Sequence, residues 1–123
     1  MIHREGEGWR LAWDADRQPF SVLVAGDGWA TELTASEAEA LRDAVGDLLA
    51  QHAAVADQLM AEEAIELELE REPWWLAIEG DRSRWSLRVM LSPQSGQRAV
   101  EAFWPPESAL PFSQALQQLF GQP

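Results

Sequence analysis

The sequence predicts an α+β fold in which two pseudo-repeated antiparallel β-sheets pack with a long central helix and a C-terminal helix. Three observations carry the expectation. Residues 9–24 slide onto 74–89 without a gap, and Trp9, Leu11, Ala12, Asp16, Arg17, Ser21 and Val24 meet identical residues at Trp74, Leu76, Ala77, Asp81, Arg82, Ser86 and Val89. The segment Thr34-Ala35-Ser36-Glu37 spells a capping box, the reciprocal pair of side-chain bonds that starts a helix. Between the two, Ile65, Leu67 and Leu69 alternate with Glu66, Glu68 and Glu70, a period of two that belongs to a strand with one solvated face.

Taken in order, Met1 to Gly8 is short, polar and glycine-bearing, and is expected to be a loose tip. Gly6-Glu7-Gly8 lacks the preceding strand and following helix that a phosphate loop needs. Trp9, Leu11 and Trp13 alternate, a turn follows over Ala15 to Pro19, and Phe20, Val22 and Val24 alternate again, which describes a hairpin. Gly26-Asp27-Gly28 makes a second turn, and Trp29 to Leu33 a third strand leading into the capping box.

The helix predicted from Thr34 to Met60 carries Leu41, Val45, Leu48, Val55 and Leu59 on one stripe, with His52 in the remaining gap. At 1.5 Å per residue it would be about 40 Å long, more than the roughly 30 Å width of a small domain. It must therefore break near Gly46, overhang, or be covered by a partner.

The second copy follows: the Ile65 strand, Trp74 to Gly80, a turn at Asp81 to Arg84, and Trp85 to Leu91. A loop over Pro93 to Gly96 then leads into a strand from Arg98 to Trp104, which Pro105-Pro106 terminates. A closing helix runs to about Phe120, with Pro111 expected in its first turn. The 123 residues thus read as one domain built of a pseudo-repeat, 9–61 and 64–120.

Composition narrows the chemistry. The chain has no cysteine, which removes thiol chemistry and cysteine-ligated metal sites and fits a reducing compartment. It has no apolar stretch of bilayer length and no signal-peptide pattern, so no membrane contact and a cytoplasmic location are expected. Twenty-one acids against nine bases, every base an arginine, give a formal charge of −12. Such a field repels nucleic acid unless the arginines gather on one face. The seven tryptophans are expected to serve mostly as anchors of cores and interfaces, with a stacking platform as the alternative.

No catalytic, cofactor or metal site is expected. His3 lies in the tip and His52 on the apolar stripe, so neither is placed as a catalytic base, and Asp14, Asp16, Glu79 and Asp81 sit where turns call for aspartate. The acidic row Glu66, Glu68 and Glu70 has no turn to converge it on a metal and should face water.

The segments Gly8-Trp9-Arg10-Leu11, Pro19-Phe20, Trp29-Ala30 and Glu32-Leu33-Thr34, with the run from Leu59-Met60 through Glu62-Glu63 to Ile65-Glu66-Leu67-Glu68, carry a likeness. By these, nearly the whole chain resembles a family of small cyanobacterial proteins known only as a domain of unknown function. The resemblance implies the single-stranded-DNA-binding transcriptional regulator fold of Whirly and the positive-cofactor-four coactivators, in which strands and a helix repeat. It implies no activity or site residue, because shared fold is only an analogy for function.

The expected function is a non-enzymatic binding or regulatory module acting through protein contacts. Its binding face is placed on Arg10, Trp75, Arg88 and Met90, with Arg82 and Arg84 near. Arginine beside tryptophan also suits single-stranded nucleic acid, the alternative reading; the net charge favours protein contact, where arginine, tryptophan and methionine are enriched. Self-association as a homodimer is expected from the over-long helix, its stripe at Gly46 and the arginine, tryptophan and methionine of the hairpin face, with the glutamate row outside the interface.

Overall fold

Alternation along the chain is realised as eight strands in two antiparallel sheets. The computed structural model describes residues 1–92 and 97–120. Strands β1 (Ile2–Gly6), β2 (Trp9–Trp13), β3 (Val22–Gly26) and β4 (Trp29–Leu33) form the first sheet in sequence order, followed by helix α1 (Ala35–Ala56). Strands β5 (Ile65–Arg71), β6 (Trp74–Gly80), β7 (Trp85–Leu91) and β8 (Val100–Trp104) form the second, followed by helix α2 (Pro106–Gln117). The predicted loop over Pro93 to Gly96 lies outside the described residues.

The duplication is visible in the ladders. Leu11 faces Val24 and Trp13 faces Val22, while their mates Leu76 and Ile78 face Val89 and Leu87. It also reaches further upstream than the sequence reading placed it. Ile2–Gly6, expected as a loose tip, pairs with β2 along its length and is the counterpart of β5. Its side chains gave no alternation because an exposed edge strand buries almost none of them; its backbone bonds to β2 hold it. The repeats are therefore Ile2–Ala56 and Ile65–Gln117.

The helices are also mates, at an offset of 71 rather than 65, because eight residues join β7 to β8 where two join β3 to β4. Ala38, Leu41, Val45 and Leu48 of α1 correspond to Ala109, Phe112, Leu116 and Leu119, and all eight are buried. Each helix crosses to the other half. Helix α1 packs on β5 and β6, and α2 packs on β1 and β2 as well as on β7. A sheet with one apolar face needs a cover; here much of the cover comes from the other half, which makes one core of two repeats.

Local signals fix the ends. The Thr34 hydroxyl accepts from the Glu37 amide at 3.2 Å and Glu37 Oε1 accepts from the Thr34 amide at 2.9 Å, both halves of the capping box. Helix α1 is shorter than expected, about 33 Å at 1.5 Å per residue, and runs through Gly46 without a break. A Cβ on Gly46 would stand 2.9 Å from Gln117 Oε1, and Gln117 Nε2 donates to the Arg42 carbonyl at 3.0 Å. The glycine that had suggested a partner's backbone thus admits the chain's own α2. Pro111 lies inside α2 rather than in its first turn, a place that Pro106 takes. Its ring supplies no donor to the Glu107 carbonyl, a loss that its exposed position leaves to solvent.

Candidate functional site

On a pleated sheet alternate residues share a face, so the ladder register decides which side chains meet. One face of the second sheet covers the core with Ile65, Leu69, Trp74, Leu76, Ile78, Leu87, Val89 and Leu91. The other is left open by the described strands and helices. Across it run three rows: Glu70, Trp75, Met90 and Glu101; then Glu68, Ala77, Arg88 and Phe103; then Glu66, Glu79 and Ser86. Met90 and Phe103 are each 39% exposed, and Trp75 is half-buried beside them. Arg88 lies over the Phe103 ring at 4.9 Å from its centroid, with its Nη1 3.9 Å from Glu101 Oε2. The result is an apolar patch of three large side chains around one arginine, bordered by five glutamates.

Of the six residues expected on the binding face, the structure brings Trp75, Arg88 and Met90 together. Arg82 and Arg84 stand at the hairpin tip instead. Arg82 Nη1 donates to the Leu59 carbonyl at 3.2 Å, and Arg84 Nη2 is 3.5 Å from Glu107 Oε1. Arg10 is on β2 of the first sheet, between Glu5 and Ala25. Phe103 was missed, although the alternation that puts Val100, Ala102 and Trp104 on the core face puts Phe103 opposite, in register with Arg88.

A second polar cluster joins the halves. A cleft of about 820 Å³ at the start of α1 is lined by Phe20, Thr34, Ser36, Glu37, Pro73 and Arg98, among others. Arg98 grips Glu37 through two bonds, Nη1 to Oε2 at 3.0 Å and Nη2 to Oε1 at 2.7 Å. Its Nη2 also donates to the Glu32 carbonyl at 2.6 Å, and its guanidinium lies 4.6 Å from the Phe20 ring centroid. Burial pushes the Glu37 carboxyl up, but the Arg98 and Thr34 hydrogen bonds and the arginine's charge outweigh it and hold the group below the usual glutamate value. The bond to Glu37 in turn raises Arg98 against the effect of its own burial. The N-terminus of α1, where a helix favours an anion, is thus served by the chain's own carboxylate.

The other titratable candidates have structural partners. His52 is buried, with Nε2 3.1 Å from the Asp81 carbonyl oxygen and its ring 5.6 Å from that of Trp85. Asp81 Oδ1 accepts from the Arg84 and Ser83 amides at 2.8 and 2.9 Å, and those bonds hold its carboxyl below the ordinary value. In the first hairpin the turn bond is made by Asp14 rather than Asp16, the aligned mate: Asp14 Oδ1 accepts from the Asp16 amide at 3.1 Å. Among the described residues no group of three or more histidine, aspartate and glutamate side chains is placed to hold a metal ion. No helix among them is long and apolar enough to cross a membrane.

The chain belongs to the family described as "Domain of unknown function (DUF1818)", whose model matches residues 4–119. It is similar to a protein of unknown function from the DUF155 family of Prochlorococcus sp. NATL2A, known from a crystal structure at 1.80 Å resolution. The two share 41% identity and superpose with a TM-score of 0.89 over 98% of this chain and 99% of that one. No curated protein matches the sequence.

Proposed function

We propose that this DUF1818 protein is a non-enzymatic binding module that acts through protein contacts, with the outer face of its second sheet as the docking surface. The observation that carries the reading is the patch of Trp75, Met90 and Phe103 around Arg88, on a face that no described strand or helix covers. Aromatic residues, methionine and arginine are the types that concentrate binding energy at interfaces. The polar clusters support the same reading, since Glu37 with Arg98, His52 with Asp81, and Asp14 in its turn are all engaged in holding the fold.

The border of the patch selects the partner. Glu66, Glu68, Glu70, Glu79 and Glu101 stand against one arginine, which is itself beside Glu101. Two copies brought face to face would oppose these carboxylates, an arrangement that like charge penalises. The part of the helix stripe formed by Leu41, Val45, Leu48 and His52 is buried, and the helix packs on β5, β6 and α2 of the same chain, so less of it is left to support a homodimer. The partner is therefore a different protein, presenting apolar side chains to the patch and lysine or arginine to its border.

The resemblance to Whirly-type regulators favours the alternative, single-stranded nucleic acid on an arginine and tryptophan face. The same glutamates oppose it, because phosphates would meet five negative groups for one positive. A titration separates the two. The probes are a peptide of alternating leucine and lysine and a thymidine oligonucleotide, each followed by tryptophan fluorescence. The peptide is expected to bind, weaken with salt, and lose at least tenfold in affinity with Phe103→Ala or Trp75→Ala, the loss of one interface anchor of about 1.4 kcal/mol. Salt-sensitive oligonucleotide binding abolished by Arg88→Glu, with none to the peptide, would replace this reading by the nucleic-acid one.

A further inference from the structure

The outer face of the first sheet departs from that of the second at equivalent repeat positions. In the second sheet Trp75 and Arg88 flank Ala77, whereas their mates in the first are Arg10 and Leu23, beside Ala12. One row of the first sheet reads His3, Ala12, Leu23 and Glu32, so the methyl of Ala12 lies between two larger side chains. A pocket of about 350 Å³ opens over it, with Arg10 at one end and Asp14, Arg17 and Ser21 at the other. Alternation puts Arg10, Ala12 and Asp14 on this face of the chain, and Ser21 and Leu23 lie beside them, since the Asp14 amide bonds the Ser21 carbonyl at 2.9 Å.

A polar group at each end lacks a partner. Ser21 is 4% exposed, and its Oγ is buried with no hydrogen bond among the described residues. Buried hydroxyls are ordinarily satisfied. In the second hairpin the mate, Ser86, donates to the Glu79 carbonyl at 3.3 Å, but in the first the equivalent Asp14 carbonyl accepts the Arg17 amide at 3.0 Å and closes the turn. At the other end, Arg10 alone of the nine arginines makes no hydrogen bond, ion pair or ring contact among the described residues. Glu5 stands opposite it in register but turns to His3, 3.1 Å away. The pocket thus offers a cation at one end and a hydroxyl at the other.

We propose that this pocket binds a small aromatic carboxylic acid that carries a hydroxyl at the far end of its ring. The charges set its direction. Arg10 takes the carboxylate, which Asp14 and Glu32 would repel at the opposite end. The ligand hydroxyl accepts from Ser21 Oγ and donates to Asp14, whose Oδ1 is held by the Asp16 amide at 3.1 Å while Oδ2 has no partner among the described residues. The spacing sets the length. Arg10 faces Ala25, and Ser21 lies four residues before Ala25 on the chain, which separates the two backbones by about 14 Å. An extended arginine side chain crosses part of that distance, and a ring with a short acid arm crosses the rest. Strands β1 and β3 flank β2 about 10 Å apart, so the trough between His3 and Leu23 is one ring wide. Arg17 and Glu32 line the Ser21 end, and their exposed ion pair at 2.7 Å costs little to part as the ring enters. None of these residues belongs to the docking face of the second sheet.

The test follows the amide resonances of ¹⁵N-labelled protein during titration with 3-(4-hydroxyphenyl)propionate. Two comparison probes are 3-phenylpropionate, which lacks the hydroxyl, and 3-(4-hydroxyphenyl)propionamide, which lacks the charge. The native chain is expected to prefer the hydroxylated acid about fivefold over the first, the worth of one hydrogen bond, and at least tenfold over the second, the worth of a charged one. Signals of Ala12 and Leu23 should move. Ser21→Ala should erase the difference between the two acids and, because the hydroxyl has no partner in the free protein, leave Tm unchanged or higher. Arg10→Gln should bring the acid and the amide to equal affinity. Ala12→Leu, which fills the trough, should abolish binding, while Leu110→Ala, exposed on α2, leaves it unchanged. Resonances of Ala12 and Leu23 that stay in place at millimolar acid would overturn the proposal on the unsubstituted protein alone. So would a Ser21→Ala variant that still tells the two acids apart, or an Ala12→Leu variant that binds as tightly as the native chain.

Discussion

The bond between Arg98 and Glu37 should behave as a clamp between the two repeats, and a double-mutant cycle with pH as a second variable measures it. Glu37→Gln keeps the shape and can still accept from the Thr34 amide through one oxygen, but turns an amide donor towards the Arg98 guanidinium. Arg98→Met keeps much of the stem and removes both bonds to Glu37, the bond to the Glu32 carbonyl and the stacking on Phe20. The side chains are 34% and 17% exposed, so the pair lies between a surface bridge, worth at most about 1 kcal/mol, and a charged hydrogen bond away from solvent, worth about 3 kcal/mol. We expect each single variant to lose about 2 kcal/mol and the cycle to return a coupling of about 1.5 kcal/mol. For a chain of this length that is a fall of about 8 °C in Tm for each variant, at about 4 °C per kcal/mol.

The sign of the pH effect follows from the depressed Glu37 carboxyl. A group whose folded value lies below its unfolded value contributes stability that is fully present above the unfolded value, here the ordinary 4.5, and is lost as pH falls through the folded one. The coupling should therefore be full at neutral pH and fade below pH 4.5. Urea unfolding of the four proteins at neutral and at acid pH provides the data. A coupling near zero at neutral pH, or one that grows as pH falls, would refute the clamp.

Other substitutions test the packing and the turns. Trp104→Ala should cost about 4 kcal/mol, because the ring stacks on Phe112 in the shared core, and Trp104→Phe about 1.5 kcal/mol for the lost bond to the Ala25 carbonyl, both read by chemical denaturation. Gly80→Ala should destabilise by about 2–3 kcal/mol, since φ is +157° and a Cβ would collide with the Arg84 carbonyl oxygen. Gly28→Ala should cost only about 1 kcal/mol, because its φ of +83° carries the strain while the space around it is open. Equal costs for the two glycine variants in a thermal scan would contradict the turn geometry.

The legible parts of the fold were those whose signal is local. The capping box at Thr34 and the alternation of Trp74 to Gly80 and Trp85 to Leu91 depend on neighbours a few residues away, and the element bounds fell where those patterns placed them. Strand β1 was hidden because its burial is nearly nil, although sliding the repeat upstream would have set Ile2 on Leu67 and Glu5 on Glu70. The kinship of the helices was hidden by the longer β7–β8 connection, which breaks the gapless alignment just before it. Arginine roles were the least legible. Arg98 holds a carboxylate 61 positions away, Arg82 a carbonyl 23 positions away, and Arg88 its own sheet face, and nothing near each arginine in sequence states which partner the exchange of helices will bring. The same exchange explains Gly46, whose neighbour Gln117 belongs to the other repeat.

Docking of a basic protein on the open face of the second sheet can be read by placing a photo-reactive benzoylphenylalanine at position 103 in living cells and sequencing what it captures. A control at Gln114, exposed on α2, sets the background. One discrete protein is expected to be captured at 103 and absent at 114, joined through a segment rich in lysine or arginine. Its yield should collapse when Glu70→Lys and Glu101→Lys reverse the border of the patch. Capture of nucleic acid, of a second copy of this chain, or of a partner whose yield ignores that reversal would contradict it.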